Sequence, residues 1–445
     1  MQTNAALPGV TIEWVNHASF IVSAGGMRLL CDPWLTGSAF NNGWRHVTPT
    51  RFSAGDFGSI THVWISHQHP DHFAPGDLKS VPPEVRAGVT VLYQTVPDKL
   101  VVSWLKSAGY KGTRELPMQQ WVRLNDDTEL LCGSLDDDSW LAVRTGALTL
   151  LNVNDCVLKR AEDIADIKRL VGQVDVLFTQ FSYAQWIGNP EDTQRRKADA
   201  AEKFARIRLQ CRILNPQYVV PFASFIYFSN TENFFMNDAM NRVGSVASFI
   251  EEDLGKRAVV LYPGERWKVG EPADWRAAAQ RYDADVRARL DAGPVDVPRT
   301  VGREQFVSYV NDFLKRLRRK NPLFSLFMRE ETTFYLTDHE QAFRLGPKGV
   351  RAADAGARES DIATCSENVL YAFRTPWGGN TLHVSGRFQS YVPGGHLRFF
   401  RVMSQLHYYN RTAIDLHWVA AQCARVPRGV SRRLARLTRR AAQTV

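Results

Sequence analysis

The chain has 445 residues, 44% of them hydrophobic and 11% aromatic, so it is long enough for two domains and too apolar for disorder. No stretch approaches the roughly 18–20 apolar residues of a membrane-spanning helix, and Met1 to Pro8 shows neither the basic nor the apolar segment of a secretory signal. Six scattered cysteines, Cys31, Cys132, Cys156, Cys211, Cys365 and Cys423, form no CxxC or CxH pair; this excludes zinc ribbons and Rieske clusters built from adjacent ligands and fits reduced thiols in a cytoplasmic protein.

Short strands are expected first, at Val10–Val15, Phe20–Ser23 and Met27–Cys31, with a Gly25-Gly26 turn between the second and third. Asp32-Pro33-Trp34 then stops the ladder. The apolar run Ile60 to Ser66 reads as a strand that delivers a histidine-rich loop at its end. Further strands are predicted at Thr90–Gln94, Trp121–Leu124, Thr128–Cys132, Ser139–Arg144 and Leu148–Val153, with a helix over Lys99–Ala108. From there helices (Ala161–Val171, Ala198–Leu214, Met240–Leu254) alternate with strands (Val174–Thr179, Tyr218–Pro221, Arg257–Leu261). A strand meander followed by αβ alternation predicts two sheets packed between helices, an α/β αββα sandwich.

The texture changes near residue 268. Charged helical stretches at Trp275–Asp291 and Glu304–Lys320 flank a linker-like Gly293-Pro294-Val295-Asp296-Val297-Pro298. Strand-rich segments are expected over Thr332–Leu345 and Asn368–Phe388. The organisation read from this is a metal-binding domain over 1–267 and a smaller α+β domain over 268–445. The formal net charge of +9 is uneven. No acid follows Asp415, while Arg425, Arg428, Arg432, Arg433, Arg436, Arg439 and Arg440 crowd the tail, with Val430, Leu434, Leu437 and Ala441 at helical spacing. This basic terminal helix would dock on its own domain or make peripheral contact with an anionic membrane surface. No nucleic-acid-binding module accompanies it.

His67-Gln68-His69-Pro70-Asp71-His72 gathers three of the chain's eleven histidines and a carboxylate at one strand end. Alternation along an extended segment lets His67 and His69 face one side, while Asp71 and His72 turn back. Imidazoles with a carboxylate suit Zn, Fe or Mn, and two such half-sites can share a bridging ligand.

HxHxDH resembles the signature of the metallo-β-lactamase superfamily, as do Asn16-His17-Ala18-Ser19-Phe20 and Leu30-Cys31-Asp32-Pro33-Trp34. The resemblance spans residues 10–265 and implies two divalent metal ions. In it, Asp32 supports the loop from behind, and Asp155 of Asn152-Val153-Asn154-Asp155-Cys156 bridges the metals. His67, His69 and Asp155 would then form one site, and Asp71, His72 and Asp155 the other. Val174-Asp175-Val176-Leu177-Phe178, Pro221-Phe222-Ala223-Ser224-Phe225 and the run Ser229–Asn237 are most similar to the branch that includes CMP-N-acetylneuraminate hydroxylases. That branch carries a Rieske cluster; with no CxH…CxxH here, none is expected in this chain.

Two departures stand out. No histidine lies between His72 and His339, so the family's third-strand histidine is replaced by the run Asp136-Asp137-Asp138, and its last histidine by Asn230. Asp138, then Asp136, is the candidate replacement ligand; an acidic turn is the bland alternative. Oxygen-rich ligation shifts preference from zinc towards iron or manganese.

The resemblance favours a hydrolase, in which metal-bound hydroxide attacks a phosphoryl or acyl centre and Asp71, the catalytic candidate, orients the nucleophile. The alternatives are a di-iron oxygenase acting on a sugar-nucleotide-like substrate with a separate ferredoxin, or a non-catalytic protein with a worn site. A small-molecule, phosphate-bearing substrate would meet Asn230, Tyr183 and Trp186, with Phe225, Tyr227, Phe234 and Phe235 nearby; core packing competes as the explanation for these aromatics. Arg195, Arg196, Arg206 and Arg208 would meet phosphate or form a solvated helix face, and His396 or His407 could replace a missing ligand.

Overall fold

The computed structural model describes residues 9–321, 328 and 330–412, so the basic terminal helix lies outside the described residues. Contacts divide the chain into two compact units, the first comprising Met1–Val297 with Val384–Arg387, the second Pro298–His383 with the residues from Phe388 onward. Among the described residues no helix is long and apolar enough to cross a membrane.

In the first unit the opening strands are β1 (Thr11–Asn16), β2 (Ser19–Ala24) and β3 (Met27–Cys31). Gly25 and Gly26 carry φ of +52° and +78°, the left-handed pair that a two-residue hairpin needs, and they set the Ala24↔Met27 register. A small ribbon follows, β4 (Ser38–Ala39) and β5 (Trp44–His46), and then β6 (His62–Ile65), β7 (Thr90–Gln94) and β8 (Arg114–Leu116). β9 (Trp121–Arg123), β10 (Thr128–Leu135), β11 (Asp138–Thr145) and β12 (Leu148–Asn152) form a meander. β13 (Val176–Gln180), β14 (Tyr218–Phe222), β15 (Ile226–Phe228), β16 (Arg257–Ala258) and β17 (Arg266–Lys268) complete the unit.

These strands make two seven-stranded sheets, ordered β17-β1-β2-β3-β6-β7-β8 and β16-β14-β13-β12-β11-β10-β9, and a three-stranded ribbon β15-β5-β4. The helices Ala161–Val171 and Thr193–Leu214 carry the chain between the parallel strands β12, β13 and β14. β13 and β14 are buried at every residue, as parallel strands covered on both faces must be. The sheets share one core, in which Phe20 stacks on Phe178 with centroids 4.2 Å apart. Gly133 pairs with Trp140 across β10 and β11, and a Cβ there would lie 2.1 Å from the indole, so the glycine makes room for the tryptophan. β1, β3 and β6 of one sheet and β12, β13 and β14 of the other all end at one edge, where the β10–β11 hairpin also turns.

The first unit continues past residue 267 because the helix Trp275–Ala292 packs into it. Tyr282 accepts from Trp14 Nε1 (3.0 Å), donates to the Leu261 carbonyl (3.1 Å) and stacks on Phe225 at 4.3 Å. The second unit is α+β, with a sheet ordered β20-β19-β18-β21 formed by β18 (Thr332–Leu336), β19 (Gln341–Gly346), β20 (Gly349–Ala353) and β21 (Ile362–Thr364). Its core includes Phe306, Phe334, Phe343 and Phe399. The strands expected over Asn368–Phe388 are instead the helices Ser366–Arg374 and Gly378–Ser385. Buried Val369, Ala372 and Phe373 recur at helical spacing, which outweighs the β-preference of the aromatic and branched residues.

Candidate metal centre

β6 is an apolar strand whose last turns deliver Ser66 and His67 into the interior, both fully buried. The amides of His72 and Phe73 then donate to the His69 carbonyl (3.0 and 2.7 Å), closing a helical turn that swings Asp71 and His72 back towards His67. His67 Nε2 and His69 Nδ1 are 2.8 Å apart. Two donor groups result, each with its ligand atoms within 4.8 Å of one another: His67, His69 and Asp155, and His17, Asp71 and His72. Asp155 Oδ2 also lies 3.3 Å from His72 Nε2, so this carboxylate stands between the groups.

The loop is held from behind by Asp32, which is fully buried at a φ of +40° where β3 meets Pro33. Its carboxylate accepts the Ser66 amide (2.7 Å), the Ser66 hydroxyl (2.8 Å), Asn154 Nδ2 (2.8 Å) and His72 Nδ1 (2.9 Å). The last bond fixes the proton on Nδ1, so Nε2 is the nitrogen that faces the cluster. His72 Nε2, Asp71 Oδ1 and His17 Nδ1 are buried without a hydrogen bond. Imidazoles and carboxylates gathered in the interior with open valences fit a shared divalent cation, since such burial is costly without one.

The electrostatics agree. Burial pushes His67 down to about 4 and, with the neighbouring His67, His69 likewise to about 4, so both stay neutral and ready to ligate. Burial also pulls His72 down, but Asp71, Asp155 and Asp32 together hold it well above its usual range; a cation would displace that proton. Asp71, although burial opposes it, is kept well below the usual carboxylate range by His72 and His17.

Asp138 opens β11 with Oδ1 3.5 Å from His67 Nε2, beside the first donor group. The Leu135↔Asp138 pairing makes Asp136 and Asp137 the two-residue tip of the hairpin, and Asp136 (φ +55°) sits exposed there, outside the donor groups. Burial raises Asp138 to about 6. A raised carboxyl holds its proton below that pH, so metal uptake at this position should weaken as pH falls through about 6, while His67 and His69 hold out to about 4. Equilibrium dialysis against pH should show this step, and Asp138→Asn should erase it.

Three contributors escape sequence reasoning. His17 ends β1 at a φ of +45°, with Nε2 3.2 Å from Asp71 Oδ2; the Asn16-His17 pair was the visible signal, but nothing local shows what it faces. Gln180, at the end of β13, donates Nε2 to Asp155 Oδ1 at 3.3 Å, and buried Lys203 donates Nζ to Gln180 Oε1 at 3.4 Å. An ammonium can only donate, so Lys203 dictates which end of the amide meets Asp155. Gln180→Leu and Lys203→Met should each weaken metal affinity by about tenfold, read by competition with a chromophoric chelator.

The remaining candidates lie elsewhere. Asn230 is fully buried, accepting the Glu232 amide and donating to the Asn42 carbonyl, and Tyr183 donates its hydroxyl to Met236. Trp186 is buried with Arg195 over its ring, Arg196 pairs with Asp238, Arg206 with Glu202 and Arg208 with Asp253. These four arginines are thus engaged within the fold. His407 donates to the Ala372 carbonyl inside the second unit.

Residues 11–180 match the Beta-lactamase superfamily domain. A Mycobacterium tuberculosis protein described as a Rieske 2Fe-2S iron-sulfur protein is 27% identical over 240 residues, 50% of this chain and 45% of that one. The cytidine monophosphate-N-acetylneuraminic acid hydroxylase of Danio rerio is 27% identical over 180 residues, 39% of this chain and 29% of that one. A metal-dependent hydrolase of Chelativorans sp. strain BNC1 is 29% identical over 107 residues, 24% of this chain and 38% of that one. The chain thus spans less than half the length of each of these relatives. Its first unit, with the two-sheet sandwich and the donor groups at its edge, thus contains a domain of the β-lactamase superfamily.

Proposed function

We propose that the chain is a metal-dependent hydrolase with two metal positions, one held by His67, His69, Asp138 and Asp155, the other by Asp71, His72, Asp155 and His17. The observation that carries this is the position of Asp155, within ligand reach of both donor groups. Bound divalent ions would lower the pKa of a water and polarise the phosphoryl or acyl oxygen under attack. The chain's own residues do the rest. Asp138, beside His67, completes the first position. Asp71, held ionised, orients instead of carrying the proton. Asp32 locks His72, and Gln180 locks Asp155. Four imidazoles and three carboxylates accommodate zinc, iron or manganese.

The test is hydrolysis of bis(p-nitrophenyl) phosphate and p-nitrophenyl acetate. Activity should vanish with a chelator, return with added metal, and fall about 100-fold in Asp138→Asn. No turnover with any of the three metals would sink the hydrolase reading. A second reading, di-iron oxygenation with electrons from a separate ferredoxin-like donor, is favoured by the similarity to a hydroxylase and to a protein described as a Rieske iron-sulfur protein. It expects iron in the purified protein and reductant-dependent oxygen uptake.

A further inference from the structure

A cavity of about 530 Å³ in the first unit is walled by Thr36, Arg45, His46, Thr50, Tyr227 and Arg289, among others. That volume suits a small molecule. The wall is built from the ribbon, where Tyr227 pairs with Arg45 across β15 and β5, and from the last turn of the helix Trp275–Ala292, which supplies Arg289. Two carboxylates lie close by, and both are consumed. Asp77 accepts the Leu35 and Thr36 amides and the Thr36 hydroxyl (2.7, 3.2 and 2.5 Å). Asp296 takes Arg45 Nε and Nη2, each at 2.7 Å, and the Ser229 hydroxyl at 2.8 Å.

Arg289 differs. Its Nε donates to the Val47 carbonyl at 2.9 Å, which anchors the guanidinium at the wall. Its two terminal nitrogens have no carboxylate partner among the described residues. Among the described residues, Arg45 keeps one terminal nitrogen uncommitted, and the Tyr227 hydroxyl, close to both guanidiniums, forms no hydrogen bond. The cavity therefore offers a planar cationic fork, one further N–H and a phenol with no resident anion to meet them.

The cavity also adjoins the metal centre. His46 packs its ring on Trp34 at 3.8 Å and lies 6.3 Å from His17, whose Nε2 touches Asp71. One imidazole thus separates the cavity wall from the ring that reaches the donor cluster.

We infer that this cavity is an anion subsite, in which Arg289, Arg45 and Tyr227 hold a phosphate group of a small-molecule substrate whose reacting group lies at the metal centre. The inference rests on the hydrolase reading for the reacting group, but anion binding can be tested apart from it.

Inorganic phosphate titrated into the full-length protein by calorimetry is the probe, with and without chelator. Saturable binding should survive the chelator, weaken at least tenfold in Arg289→Met and Arg289→Lys, and weaken less in Tyr227→Phe. Lysine keeps the charge and loses the fork, and the phenylalanine variant removes one hydroxyl, so a misfolded methionine variant, recognised by its melting curve, leaves the test intact. Binding that disappears with the chelator, or is unchanged in all three variants, places phosphate at the metals and overturns the subsite. Failure of the hydrolase reading looks different: no turnover with any metal, alongside chelator-resistant phosphate binding.

Discussion

Replacing Asp32 with alanine should lower stability by about 3–5 kcal/mol, because it leaves a fully buried set of donors on Ser66, His72 and Asn154 without their acceptor. Metal affinity should fall as well, by roughly 10- to 100-fold, since the His72 tautomer is no longer imposed. Urea unfolding and chelator competition read the two effects separately. Asp32→Asn sharpens the point. Asparagine keeps the shape and one acceptor for Ser66, so stability should partly recover. Its amide offers His72 Nδ1 no comparable acceptor, so the affinity loss should persist. Equal recovery of both would mean that Asp32 only braces the turn.

The second large effect is expected of Asp155→Ala. Asp155 is within reach of both donor groups, so its loss should weaken both metal positions. The loss of affinity should exceed the about tenfold expected of an outer partner such as Gln180. Asp138→Asn gives the contrast. Asp138 lies beside the His67 and His69 group, so one position should weaken and the other survive. If the two variants behave alike in metal titrations, Asp155 does not bridge.

Much of this centre is local and therefore legible. The loop from His67 to His72 sits at the end of an apolar strand and gathers its four candidate ligands by spacing, while Asp155, which follows another strand, is legible only through the family resemblance. Asp138 and Asp136 are two residues apart in one acidic run, and only the hairpin register decides between them, placing one beside His67 and the other at an exposed tip. His17 lies 54 residues from Asp71, and only the pairing of β1 with β2, β2 with β3 and β3 with β6 brings them together. Gln180 and Lys203 carry no motif, because an amide at a strand end and a lysine in a helix acquire meaning only through what they face. Asn230 and Tyr183 read as substrate-side residues until the fold engages their polar groups internally. In the second unit, aromatic density suggested strands where a helical stripe prevails.

The central claim is a paired metal centre built on the His67–His72 loop and closed by Asp155. Its most direct test is elemental analysis of the full-length protein purified without added metal, alongside His69→Ala and Asp155→Ala. The account predicts about two divalent ions per chain in the parent, as in other two-metal sites, about one in His69→Ala and fewer still in Asp155→Ala. Metal content unchanged by either substitution would contradict it.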